Sequence, residues 1–216
     1  MTRDELINAI EAAIGDLAAV YRGSADESDL YEAALLAIAV NAGRLAGGTE
    51  LLTSDGTTPD ATITFRRAPG NLWTQGITFA ALSFPDGKRL EVHLGVMVAG
   101  KSTVAHECDV AIIDGEECDR SRLGNVHPRC RALVAAVEAK HYVASPGIGI
   151  GRGFLGLGTE LGAAKCSLAF PASSSESLAA LIARKQPQSF PEASPGTSAS
   201  ERLTRHIEQQ VRNWLP

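Results

Sequence analysis

Cysteines and long apolar runs are both scarce in this sequence of 216 residues. The four cysteines are too few to form a disulfide framework in a chain of this length, which favours reduced thiols. The longest apolar run, AALLAIAV at 33–40, is much shorter than the roughly 20 residues that a transmembrane helix needs. The first residues, MTRDELINAIEAAIGDL, include acids and lack the apolar core of a signal peptide. We therefore expect a cytoplasmic protein with no membrane partner.

Extremes of charge are absent as well. Hydrophobic residues make up 44% of the chain and charged residues 21%, which is ordinary for a globular protein and excludes disorder throughout. The net charge of −5 argues against a general nucleic-acid binder. The charge is uneven, however, because residues 1–60 carry eleven acids and three bases, whereas residues 61–185 carry eleven acids and fourteen bases. This weakly basic middle is compatible with a localised face that contacts phosphates.

The spacing of apolar residues predicts two helices near the N-terminus. The first covers 3–21, where apolar side chains recur every three or four residues. Ser24 and Glu27 fit a capping box, which predicts the start of a second helix over about 27–46. This second segment is apolar on nearly every side, so we expect it to be buried on more than one face.

From about residue 61 the pattern changes to that of β-strands. Short apolar runs are separated by turns such as PDGK at 85–88. Further on, GRGFLGLGTELG at 151–162 predicts a helix, and AKCSLAFPA and SESLAALIARK predict a strand and another helix. This order indicates an α/β domain around one central sheet. The predicted strands before residue 150 are ATITFRR, GITFAALSF, RLEVHLGVMVAG, AHECDVAIID and ALVAAVEAKHY.

The C-terminal part divides into two further segments. Residues 186–200, QPQSFPEASPGTSAS, have the composition of a flexible linker. After them, 201–216 carries one apolar stripe at helical spacing and predicts an amphipathic helix. We therefore expect a main domain over 1–185, a linker over 186–200 and a helical appendage over 201–216.

Acidic and basic residues lie at corresponding ends of two predicted strands. In ALVAAVEAKHY, Glu138 and Lys140 are two residues apart and share one face of a strand. In AHECDVAIID the same alternation places Glu107 and Asp109 on one face. If the two strands pair, Asp109 lies beside Glu138, and Lys140 lies near both. Paired carboxylates repel each other unless a cation lies between them, and oxygen ligands suit Mg²⁺ or Mn²⁺. The alternative is a solvated salt bridge at a strand end, which is common.

These motifs resemble those of the PD-(D/E)xK nuclease superfamily, which includes many restriction and repair endonucleases. The similarity covers residues 27–170 and depends on the order of Asp109, Glu138 and Lys140 after a helix that bears Glu32. Cys108 precedes Asp109, where the superfamily often has proline.

The resemblance implies a restriction-endonuclease-like, three-layer core: a central mixed sheet flanked by helices, here with N- and C-terminal helical appendages. It also implies that Asp109, Glu138 and Glu32 bind the metal and that Lys140 is the catalytic lysine. Glu107 is a further candidate ligand. For Glu32 an alternative stays open, because a glutamate near the start of a helix is favoured by the helix dipole.

Three arginines are candidate contacts for nucleic acid. Arg120 and Arg122 belong to DRSRLGNVHPRCR at 119–131, which joins the two motif strands and is predicted to be a loop. Arg152 belongs to the glycine-rich segment after the lysine strand. Arginines next to such a site suit phosphate binding, although a solvated loop explains 119–131 equally well.

The sequence therefore predicts a Mg²⁺- or Mn²⁺-dependent endonuclease that acts on DNA in restriction or defence. An alternative is a catalytically inactive nuclease-fold module that binds nucleic acid or a partner protein. A third hypothesis is a zinc-stabilised interaction protein using the histidines and cysteines between 106 and 130, although their spacing is not that of a structural zinc site. The sequence leaves open a homodimer or a larger defence complex.

Overall fold

The computed structural model describes residues 2–142, 144–183 and 187–216, which form a mixed seven-stranded sheet with helices on both faces. The strands follow each other across the sheet in chain order, from β1 to β7. The first five strands pair antiparallel, and the pairs β5–β6 and β6–β7 are parallel. The chain is thus an α/β protein with a three-layer arrangement, as predicted.

The strands are β1 (Thr49–Thr53), β2 (Phe79–Ser83), β3 (Arg89–Ala99), β4 (Ala105–Asp114), β5 (Leu133–Ala139), β6 (Cys166–Phe170) and β7 (Gln188–Pro191). The helices of the described residues are α1 (Arg3–Ile14), α2 (Ala19–Ser24), α3 (Glu27–Leu45), α4 (Gly115–Gly124), α5 (Ile148–Leu161), α6 (Glu176–Ala183) and α7 (Ser198–Trp214). No helix of the described ranges is long and apolar enough to cross a membrane.

Two apolar cores lie on opposite faces of the sheet. The first contains α1, α3 and α7, packed against apolar side chains of strands β2 to β7. The second contains α5, α6 and Cys118 of α4, packed against the other face of β3 to β6. Helix α3 is buried on several sides, as its all-round apolar sequence predicted. Because the sheet is covered on both faces, a polar group at its middle is shielded from water unless the strands separate.

The structure corrects the predicted N-terminal helix over 3–21. Helix α1 ends at Ile14, because Gly15 adopts a φ of +107°, and α2 is a separate short helix. Capping of α3 also differs: Asp26 and Asp29, rather than Ser24 and Glu27, form the capping box.

The structure also differs from prediction in the middle of the chain. Part of the predicted loop 119–131 belongs to α4, which Asp114 caps by accepting hydrogen bonds from the Glu116 and Glu117 amides. The predicted strand ATITFRR is not regular, since only Ile63 forms an isolated bridge, with Leu17.

The segment predicted to be a flexible linker, 186–200, is ordered structure from residue 187 onward. Gln188–Pro191 is strand β7, which pairs in parallel with β6. Helix α7 begins at Ser198 and places Leu203, Ile207 and Val211 in the first core, so it is an integral part of the fold. The composition of the segment is typical of a linker, but the pairing partner that orders it is distant in sequence. The predicted boundary at 185/186 lies outside the described residues.

Candidate metal and phosphodiester site

Three of the predicted site residues lie together where β4 and β5 separate. The ammonium group of Lys140 is 2.6 Å from Oε1 of Glu138 and 3.7 Å from Oδ2 of Asp109. Asp109 is buried, whereas the Glu138 and Lys140 side chains are partly exposed. The site is therefore partly open to solvent and contains one buried carboxylate.

The side chain of Asp109 bridges β4 and β5 at the point where the two strands separate, called the fork below. Pairing between β4 and β5 stops at Val110 and Val137, although β4 extends back to Ala105 and β5 continues to Ala139. Beyond this point, the backbone amide of Ala139 donates a hydrogen bond of 2.7 Å to Oδ2 of Asp109. The carboxylate takes the place of a strand partner, which fixes Asp109 beside the start of the Lys140 segment.

The Lys140 segment stays attached to the sheet on its other side. Strand β5 pairs in parallel with β6 up to Ala139 and Ala169. The backbone amide of Lys140 then donates a hydrogen bond of 2.9 Å to the carbonyl of Ala169. The backbone of Lys140 is therefore held by β6, while its side chain extends toward the carboxylates of Glu138 and Asp109.

A glycine on β3 accompanies the irregularity at Asp109. Gly95 has a φ of +54°, and the pairs between β3 and β4 skip Gly95 and Asp109. The alternation of faces slips at this point: Val110 belongs to the first core, whereas both Cys108 and Ala111 belong to the second. Simple alternation of side chains therefore does not hold through Asp109, because its pairing with Gly95 is irregular although the register on either side is unchanged.

Glu32 and Glu107 are two further acids of the same region. Burial, followed by repulsion from Asp109, raises the pKa of Glu32 to about 8. Burial and repulsion from Glu138 raise the pKa of Glu107 above its ordinary value, and the ammonium of Lys140 offsets part of this rise. The four acids predicted from the sequence thus interact electrostatically, although they come from α3, β4 and β5.

Asp109 and Lys140 respond to this environment in different ways. Burial and the neighbouring Glu138 raise the pKa of Asp109, against the opposing effect of Lys140. Burial lowers the pKa of Lys140, but the carboxylates of Glu138 and Asp109 outweigh burial, so the net shift is upward. Lys140 therefore keeps its positive charge at neutral pH, while the acids around it lack full compensation.

The donors at this site suit a hard divalent cation. All of them are carboxylate oxygens, which Mg²⁺ and Mn²⁺ prefer. Among the described residues, however, these acids do not form a set of three with ligand oxygens within 4.8 Å of one another. A small ion here would be held by one or two carboxylates and complete its coordination with water, which is the usual arrangement for Mg²⁺.

The structure uses the predicted nucleic-acid arginines of α4 in internal ion pairs. Arg120 binds Glu117 through two hydrogen bonds of 2.8 and 2.5 Å, and Arg129 binds the same carboxylate. Arg122 forms a two-pronged ion pair with the buried Glu91. Arg152, by contrast, is exposed on α5, in the helix that follows the Lys140 segment.

Sequence reasoning missed a second polar cluster, formed by Glu91, His93 and Cys118. These residues lie in β3 and α4, are buried, and each places one potential ligand atom within 4.8 Å of the others. The signal was present in RLEVHLGV, where two polar residues on one face interrupt an apolar strand. Cys118 is one of the cysteines between 106 and 130, but its partners, Glu91 and His93, lie outside that stretch. Cys108, from the same stretch, is buried in the second core.

No family model, curated protein or solved structure matches this chain.

Proposed function

We propose that this protein is a metal-dependent nuclease that hydrolyses phosphodiester bonds, with DNA as its substrate in restriction or defence. The observation that carries the proposal is the contact of one ammonium group with two carboxylates at the fork of β4 and β5. The three-layer α/β architecture agrees with the fold that the PD-(D/E)xK resemblance implies.

Each side chain has a distinct role in the proposed reaction. Asp109 and Glu138 would hold Mg²⁺, which supplies Lewis acidity toward the phosphate when it is bound. Lys140, held beside both carboxylates, orients the attacking water and stabilises negative charge that develops on the phosphate oxygens. Glu32 carries a proton at neutral pH because its pKa is raised to about 8, and it joins the oxygen ligands when it loses that proton.

A cleavage assay tests the proposal directly. Purified protein with Mg²⁺ should cut duplex DNA, and Asp109→Asn or Lys140→Met should lower the rate by about 100-fold or more, the effect of removing a group that stabilises the transition state. Exposed residues of the same types give matched controls, Asp86→Asn and Lys101→Met, which should keep the wild-type rate. Equal behaviour of the wild-type and Asp109→Asn proteins on duplex DNA, single-stranded DNA and RNA would contradict the proposal.

The alternative of an inactive module is favoured by one observation. The described acids do not bring three ligand oxygens together, and Lys140 forms its closest ion pair with Glu138. Such a module would bind nucleic acid without needing Mg²⁺. Calorimetry with Mg²⁺ alone separates the two functions: a nuclease site gives heat that Asp109→Asn abolishes, whereas an inactive module gives none.

A further inference from the structure

The cluster of Glu91, His93 and Cys118 lies apart from the acids of the fork. Glu91 and His93 are two residues apart on β3, so their side chains leave the same face of the strand. Cys118 reaches them from α4. All three side chains are shielded from water, with exposures of 0% for Glu91, 4% for His93 and 0% for Cys118. A carboxylate, an imidazole and a thiol thus lie close together in a region shielded from water.

This donor set is that of a soft or borderline divalent metal. Thiolate and imidazole ligands select Zn²⁺ over Mg²⁺. In a tetrahedral site, ligands at about 2.0–2.3 Å from Zn²⁺ lie roughly 3.3–3.8 Å from one another. Since the three ligand atoms already lie within 4.8 Å of one another, a small inward movement of side chains completes the geometry. Three protein ligands leave a fourth position for water or for the second oxygen of Glu91.

We propose that Glu91, His93 and Cys118 form a Zn²⁺ site, which is independent of the proposed nuclease function.

Metal binding would change the charge balance around Glu91. Without metal, the negative charge of Glu91 is matched by Arg122, which binds both of its oxygens. When Zn²⁺ binds, the thiol of Cys118 releases a proton, and one thiolate and one carboxylate neutralise the ion. Arg122 then needs another acid, and Asp119 lies 3.6 Å from its Nη1 atom at the surface. Arg122 also stays over the ring of Phe79, 4.8 Å from its centre, so it keeps a stacking partner.

A surface cavity lies next to the cluster. A cavity of about 760 Å³ is lined by Phe79, Arg89, Asp119 and Arg122. His93 stacks on Phe79 with ring centres 4.8 Å apart, so the cavity wall is directly next to a ligand. Arg122 stands between this cavity and Glu91, and its shift toward Asp119 would open the way.

Cobalt binding by the full-length, reduced and metal-free protein tests the site. Co²⁺ reports a thiolate ligand through a charge-transfer band in the near ultraviolet. We expect one Co²⁺ per chain with this band in the wild type, displacement by Zn²⁺, and loss of the band in Cys118→Ser. Cys166→Ser is the matched control, a buried cysteine outside the cluster, and should keep the band. Asp109→Asn should keep it too, which separates this site from the proposed nuclease site.

A wild type without the band, or a band that persists in Cys118→Ser, would overturn the assignment. Because Cys118→Ser alters a core residue, X-ray absorption of the zinc-loaded wild type gives a readout that needs no variant. One sulfur ligand together with nitrogen and oxygen ligands is the expected result. A spectrum with oxygen ligands alone, or with two or more sulfurs, would contradict the proposed site.

Discussion

Buried charges define the candidate site at the scale of single residues. Asp109 is buried, yet it faces Glu138 and lies near Glu107 and Glu32, and one lysine is the cation that contacts it. Repulsion among carboxylates that are withdrawn from water disfavours their ionised forms. The site is therefore less stable when its acids are ionised without a bound cation than when they carry protons.

This account predicts how pH acts through Glu32. Its pKa rises from an ordinary value of 4.5 to about 8 on folding, so the folded state holds a proton that the unfolded state releases between these values. The free energy of unfolding should therefore fall as pH rises from 4.5 toward 8. In Glu32→Gln the fall should be smaller by on the order of 2 kcal/mol, allowing for screening at this half-buried position.

Urea unfolding at a series of pH values checks this difference. Glu27→Gln is the matched control, because Glu27 is an exposed glutamate of the same helix. Parallel pH profiles for the wild type and Glu32→Gln would show that Glu32 is not destabilised by its neighbours.

At the scale of elements, we predict that the irregular pairing at Gly95 and Asp109 positions the site. A side chain at Gly95 would be strained, because φ is +54° and a β-carbon would lie 3.2 Å from the carbonyl oxygen of Ala68. Gly95→Ala should therefore lower the free energy of unfolding by about 1–3 kcal/mol. Under the proposed function, it should also weaken Mg²⁺ binding, since the strand would relax toward regular pairing.

Gly87→Ala is a control that separates the effect of backbone strain on stability from an effect on the position of the metal site. Gly87 also has a positive φ, of +84°, but it lies in a turn with open space around it. Thermal unfolding and calorimetry with Mg²⁺ should show that Gly87→Ala loses stability alone, whereas Gly95→Ala loses stability and metal binding. Unchanged metal binding in Gly95→Ala would refute a positioning role for the irregular pairing at Gly95.

Elements with strong local patterns were predictable from the sequence, and those that depend on distant partners were not. The apolar run of β4 and the apolar repeat of α3 were placed correctly, because their own residues determine them. Strand β7 is short and lies among prolines and serines, and only its pairing with β6 orders it. The proximity of Asp109, Glu138 and Lys140 was predictable from the alternation of strands, but the irregular pairing at Gly95 was not, because it depends on contacts across the sheet.

At the scale of the whole molecule, the C-terminal helix completes one of the two cores. Ile207 of α7 is fully buried among residues of the first core. Ile207→Ala should lower the free energy of unfolding by about 2–5 kcal/mol, because it leaves a cavity between layers. Arg205→Ala, exposed on the same helix, should change it by less than about 0.5 kcal/mol. Equal stability of both variants in urea would mean that α7 is an appendage after all.

The central claim is that Asp109 and Glu138 hold a divalent metal beside Lys140. Anomalous diffraction from crystals soaked in Mn²⁺ tests it most directly, since the scattering identifies the metal and its ligands together. We predict one strong peak between Asp109 and Glu138, at roughly 2.0–2.6 Å from a carboxylate oxygen of each. Fully occupied Mn²⁺ elsewhere, with no peak at the fork of β4 and β5, would contradict it.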